Sequence, residues 1–123
     1  MAQQIARSTI AFGEQRLCRK PISATVVLGG YSMVIAMHGV LTSAEQTLVT
    51  SSTGTTQVRE FQKQLHQLFV NPLRQEIWRI TGLELRQVAK AETTAAVKVF
   101  SVGTVVLTFL LAGRLPSETW SGT

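Results

Sequence analysis

Two tandem glycines, Gly29-Gly30, separate two runs of β-forming residues, 22–28 (ISATVVL) and 31–38 (YSMVIAMH), and limit the folds open to this chain more than any other feature. A Gly-Gly pair tolerates the positive φ angles that reverse a strand within two residues. Reversal there sets Leu28 opposite Tyr31, Val26 opposite Met33, Ala24 opposite Ile35 and Ile22 opposite Met37, all on one face. Ser23, Thr25, Val27, Ser32, Val34, Ala36 and His38 then share the other, wetter face. Strand side chains alternate with period two, so a slip of one residue turns Tyr31, Met33, Ile35 and Met37 to the wrong side. Hairpin and register are therefore specified together.

Around this hairpin the spacing predicts helices. Residues 3–17 carry a loose helical pattern (Ile5, Ile10, Phe12, Leu17) that ends near Cys18, because Pro21 bars continuation and holds Lys20 extended. After Gly39, Thr42-Ser43-Ala44-Glu45 fits a capping box that opens a short helix. Residues 50–56 are polar and read as a loop. From 58 to 81, Val58, Phe61, Leu65, Leu68, Phe69, Leu73, Ile77 and Ile80 recur at steps of three and four and define one apolar stripe. Pro72 either kinks one long helix or occupies the first position of a second helix capped by Asn71; the Asn-Pro pair favours the second. Thr81-Gly82 ends the segment. Residues 83–92 (Leu83, Leu85, Val88) read as a third strand. Residues 97–112 read as a buried fourth strand with Gly103 inside it, too short in apolar length to span a bilayer.

The expected fold is therefore α+β and two-layered: a four-stranded, mainly antiparallel sheet with helices packed on one face, in the order α-β-β-α-α-β-β. One domain covers 1–114, followed by a loose tail, 115–123. At 123 residues there is room for one core and not for two. With 45% hydrophobic and 15% charged residues, the chain carries more apolar side chain than one small domain hides, which predicts a homodimer interface or a protein partner.

Chemistry is constrained mainly by what is missing. There is no aspartate, and the only histidines are His38 and His66, so a Ser-His-Asp arrangement is excluded. Cys18 stands alone, which excludes an internal disulfide and a thiolate zinc site; Arg19-Lys20 beside it would favour its thiolate, although a small buried residue at a helix end is the simpler reading. Gly29-Gly30 lacks the spacing and lysine of a phosphate-binding loop. The expectation is a non-enzymatic chain with no cofactor and no metal. No secretory signal pattern opens the sequence, which predicts a cytoplasmic location. The net charge of +5 allows an anionic partner. Arg59, Lys63, His66, Arg74, Trp78 and Arg79 form the candidate interaction surface: a basic helix face that suits nucleic acid or an anionic surface as the alternative, and a tryptophan that suits a protein partner.

Three motifs add a family resemblance. Arg19-Lys20-Pro21 precedes the first strand, Gly39-Val40-Leu41-Thr42-Ser43-Ala44-Glu45 joins hairpin to helix, and Pro72 lies in a helical segment closed by Ile80-Thr81-Gly82. Over roughly residues 5–112 this order resembles the small bacterial MpsC-like family, in which a basic-Gly-Pro element, a Gly-Val-Leu-Thr-x-x-Glu junction and an Ile-Thr-Gly closure recur. Lys20 stands where relatives carry glycine, and Gly29-Gly30 where they are often acidic. The resemblance implies the fold above and a link to a membrane ion or bicarbonate transport complex. The expected role there, an interaction or regulatory module without a transmembrane span, follows from the surplus apolar surface, the missing catalytic groups and the short apolar stretch.

Overall fold

The computed structural model describes residues 1–16, 20–68, 70–86 and 94–123. The elements are α1 (Ala2–Arg16), β1 (Ser23–His38), α2 (Ser43–Leu48), α3 (Ser52–Gln67), α4 (Val70–Thr81), β2 (Thr94–Val99) and β3 (Val105–Gly122). The fold is α+β, with four helices and a three-stranded antiparallel sheet in the order β1-β3-β2.

β1 is one run of 16 extended residues, yet its ends meet. The Ile22 amide donates to the His38 carbonyl (2.8 Å), and Thr25 Oγ1 lies 3.0 Å from His38 Nε2. A straight strand of this length would separate its ends by roughly 50 Å. The chain therefore doubles back within β1, and Gly30, at φ 57°, supplies the left-handed residue of the reversal. β3 follows the doubled strand round. Its beginning pairs with the second half of β1, from Met37↔Val105 to Ser32↔Leu110, and its end pairs with the first half, from Leu28↔Glu118 to Ala24↔Gly122. The register shifts on either side of Gly30↔Leu115, where β3 passes the tip. At the other end a polar chain runs across the sheet: Ser121 Oγ to Thr25 Oγ1 (2.8 Å), Thr25 to His38, and His38 Nδ1 to Thr104 Oγ1 (3.2 Å).

Ala24, Val26, Leu28, Met33, Ile35 and Met37 are buried in one core with Val105, Leu107, Phe109 and Leu111 of β3. The parity change across Gly29-Gly30 thus brings both halves of β1 to the same side. Two of the expected inward residues stay outside. Ile22 precedes β1 and bonds to His38 instead of standing opposite Met37 as expected, so the register there is one residue off, and it is 73% exposed. Tyr31 lies at the tip, where the Arg114 guanidinium stands over its ring at 5.9 Å.

The expected four strands resolve differently. The two runs around the glycines form one element, β1. Of residues 83–92, the described part contributes a single bridge, Leu85↔Leu111, flanked by bonds from the Arg86 amide to the Leu110 carbonyl (2.8 Å) and from the Ala112 amide to the Glu84 carbonyl (2.9 Å). Val88 lies outside the described residues. The apolar stretch 97–112 breaks into a hairpin, because Gly103 adopts φ 94° and the Phe100 amide bonds the Thr104 carbonyl (2.9 Å). The expected loose tail is the far end of β3 through Gly122, with Leu115 and Trp120 packed against the core.

On α1 the buried positions are Ala2, Ile5, Ala6, Thr9, Ile10 and Gly13, at steps of three and four. Glu118 from β3 meets its N-terminus, accepting from the Ala2 amide (2.7 Å) and the Met1 ammonium (3.0 Å). A carboxylate is favoured there by the unpaired amides and the helix dipole. α2 carries the expected capping box: Glu45 N–H donates to Thr42 Oγ1 (3.2 Å) and Thr42 N–H to Glu45 Oε1 (3.1 Å). The expected loop at 50–56 is mostly helix, since Ser51 Oγ accepts from Gly54 N–H and starts α3. α3 and α4 are separate helices; α4 begins at Val70, ahead of the expected Asn71 cap, and Pro72 falls in its first turn, where no intrahelical N–H is needed.

The expected apolar stripe holds on α4, where Leu73 and Ile77 are buried, but not along α3. There Gly54, Val58, Gln62 and His66 face inward, while Phe61 is 45% and Leu68 65% exposed. Phe69 lies outside the described residues. Two contacts set this rotation. A Cβ on Gly54 would overlap the Leu48 carbonyl oxygen, so α3 starts pressed against the end of α2. In addition, Gln62 Nε2 donates to Glu45 Oε2 (3.1 Å), which partners the inner oxygen of the capping carboxylate.

Two outcomes follow. Gly54→Ala should cost about 2 kcal/mol or more through overpacking against backbone, measured by urea unfolding; a loss under about 0.5 kcal/mol would contradict the close approach. For Glu118 the carboxyl is held below its ordinary range, first by the Ala2 amide and then by the N-terminal ammonium. Its charged form is the one the fold favours, so its contribution is complete above the ordinary carboxylate range and is lost as pH falls through the lowered value. Thermal melts of Glu118→Gln should accordingly lie below the parent near pH 7 and converge with it at strongly acidic pH.

Candidate functional site

The outward side of α4 carries the most distinctive surface chemistry. Leu73 and Ile77 turn inward, which leaves Arg74, Gln75, Trp78 and Arg79 on the opposite arc at helical spacing. After α4, Gly82 turns the chain and Glu84 comes back beside the helix. These five residues line an open cleft of about 410 Å³. Trp78 is 58% exposed within it.

The charges around the indole are mixed. Arg79 holds Glu76 in a two-pronged pair, NH2 to Oε2 at 2.7 Å and Nε to Oε1 at 3.2 Å, and Ser8 of α1 donates to Glu76 Oε2 at 3.3 Å. The Arg79 hydrogen bond is the main reason the Glu76 carboxyl sits below its ordinary range, and the same bond raises Arg79. Glu84 adds a second carboxylate to the rim. Much of the local positive charge is therefore answered within the site.

Of the six residues read as an interaction surface, Arg74, Trp78 and Arg79 converge on this cleft. Arg59 and Lys63 lie half-buried on α3, flanking its inward row. His66, expected on the same solvated face, is buried, and its Nδ1–H donates to the Gln62 carbonyl (2.6 Å). Gln75 and Glu84 are the cleft residues that sequence reasoning missed. Gln75 follows from the helical position beside Arg74; for Glu84 the signal is the Ile80-Thr81-Gly82 stop, which forces the chain to turn back.

His38 takes its place in the hydroxyl chain between Thr25 and Thr104. Cys18 lies outside the described residues. Among the described residues no three His, Cys, Asp or Glu side chains gather as a metal site, and no helix is long and apolar enough to cross a membrane.

No curated protein and no solved structure matches the chain. Residues 1–103 match the family model described as "Na+-translocating membrane potential-generating system (MpsC)", from α1 through β2 into the turn before β3. The chain belongs to the MpsC family.

Proposed function

We propose that this protein is a non-enzymatic interaction module of a membrane ion or bicarbonate transport system, working from the cytoplasmic side and docking a protein component through the Trp78 cleft. The observation that carries the reading is an exposed indole set among charges of both signs on a helix. Tryptophan and arginine are the side chains most often responsible for binding energy at protein interfaces, where a central aromatic is ringed by polar groups. The family description supplies the membrane system. Self-association belongs to the same proposal, because Phe61 on α3, Leu68 just past its end and Leu48 at the end of α2 leave apolar surface uncovered in one copy of the chain.

The alternative, nucleic-acid or anionic-surface binding by the basic helices, fits the charge of +5. It fits the α4 site less well, because Glu76 and Glu84 stand beside Arg79 and Arg74.

Trp78→Ala should leave the thermal midpoint nearly unchanged, since the side chain is mostly solvated, and should weaken binding to a component recovered from native membranes by about thirtyfold, the scale of an interface hot spot. Undiminished binding by that variant would overturn the docking site. For self-association, light scattering over micromolar concentrations should show a dimer, and a strict monomer would remove that part. Retention on a polyanion column that falls steeply with salt and ignores Trp78→Ala would favour the alternative.

A further inference from the structure

A larger concavity lies on another part of the surface. A groove of about 620 Å³ runs between α1 and the residues that lead into β1. Its apolar lining comes from Ile10 and Ala11 on one side and Pro21 and Ile22 on the other. Arg7 and Lys20 border it, both exposed, and neither has an ion pair or hydrogen bond among the described residues. Glu14, two turns along α1 from Arg7, is the acidic side chain of the lining, and Thr123, which follows β3, completes it.

Ile22 is the informative wall. Although 73% exposed, it is not loose. Its amide is tied to the His38 carbonyl at 2.8 Å, and Pro21 restricts the backbone just before it. Its side chain lies over Gly39: a Cβ there would come within 2.6 Å of Ile22 Cγ1, and Gly39 adopts φ 68°. The glycine that opens the Gly-Val-Leu-Thr junction is therefore the residue that makes room for Ile22. A large apolar side chain fixed in place yet left to water is a wall prepared before any ligand arrives, which lowers the ordering cost of binding.

We propose that this groove binds an anionic amphiphile, with an alkyl chain along Ile10, Ala11, Pro21 and Ile22 and a carboxylate or phosphate head on Arg7 and Lys20. The volume falls within the range of small-ligand sites, and the two uncommitted cations select the sign of the head. Glu14 limits that preference and favours a head of single negative charge. Both a free fatty carboxylate and the head of an anionic phospholipid present this chemistry. The site is separate from the Trp78 cleft and does not depend on its role.

Titration calorimetry with decanoate below its micelle concentration tests the proposal, with acetate and decyltrimethylammonium as partners lacking the chain or the charge. Decanoate should bind, and the other two should give no saturable heat. Ile22→Ser should weaken decanoate about tenfold, Lys20→Gln about threefold, and Glu14→Gln should tighten it two- to threefold. Matching thermal midpoints show that the variants fold. Equal binding of the cationic amphiphile, affinities indifferent to Lys20 and Ile22, or no binding of either decanoate or anionic vesicles would overturn the site. Sedimentation with phosphatidylglycerol vesicles, lost in Ile22→Ser, assigns the phospholipid source; decanoate binding without vesicle binding assigns the free one.

Discussion

The reversal of β1 about Gly30 is the constraint on which the rest depends. An isolated two-stranded hairpin is marginal in water and needs further strands or a helix to persist. Here β3 supplies both flanks of the doubled strand, so each half of β1 finds an outer neighbour in the same element. The arrangement joins distant parts of the chain. Residues near position 24 meet those near 122, and Glu118, carried back beside Leu28, receives the N-terminus of α1. One turn thereby positions the core face of the sheet, the first helix, and Ile22 above Gly39.

The helical layer obeys a second constraint, polar rather than apolar. Burying Gln62 and His66 is costly unless they are bonded, a penalty of about 1–3 kcal/mol for each unsatisfied group. Glu45 supplies a partner for Gln62 Nε2 and the Gln62 backbone carbonyl one for His66 Nδ1, whereas Gln62 Oε1 finds none among the described residues; Gly54 lets α3 come close enough for the Glu45 bond. The consequence reaches the surface. With the polar row inward, Phe61 and Leu68 are left facing water, so apolar surface remains uncovered even though the core is filled.

Much of this was legible in residue spacing, and the failures have physical causes. The change of parity across Gly29-Gly30 announced which side chains of β1 share a face, because strand periodicity is rigid. The Thr42–Glu45 capping box and the arc of Arg74, Trp78 and Arg79 were equally local. α1 was faint because Ala6, Thr9 and Gly13 occupy half of its buried face and carry little hydrophobic signal. Apolar spacing does not give the phase of α3, because a hydrogen bond to Glu45, rather than greasiness, decides which side faces in. Gly103 looked like a glycine inside a strand, since β-branched residues flank it on both sides, and Pro116 hid the pairing of the last residues with β1. Cross-chain contacts of this kind leave no periodic trace.

For function, the same geometry separates two surfaces of different character, a mixed-charge aromatic cleft on α4 and an apolar groove rimmed by cations beside α1. Both rest on elements that the doubled strand holds in place. The most direct test of that claim is a nuclear Overhauser measurement on the isotopically labelled protein. Cross-peaks linking residues 22–25 to 36–38, and residues 118–122 to 24–28, are predicted together. Sequential contacts alone along 23–38, with no link between its ends, would describe a straight strand and contradict the account.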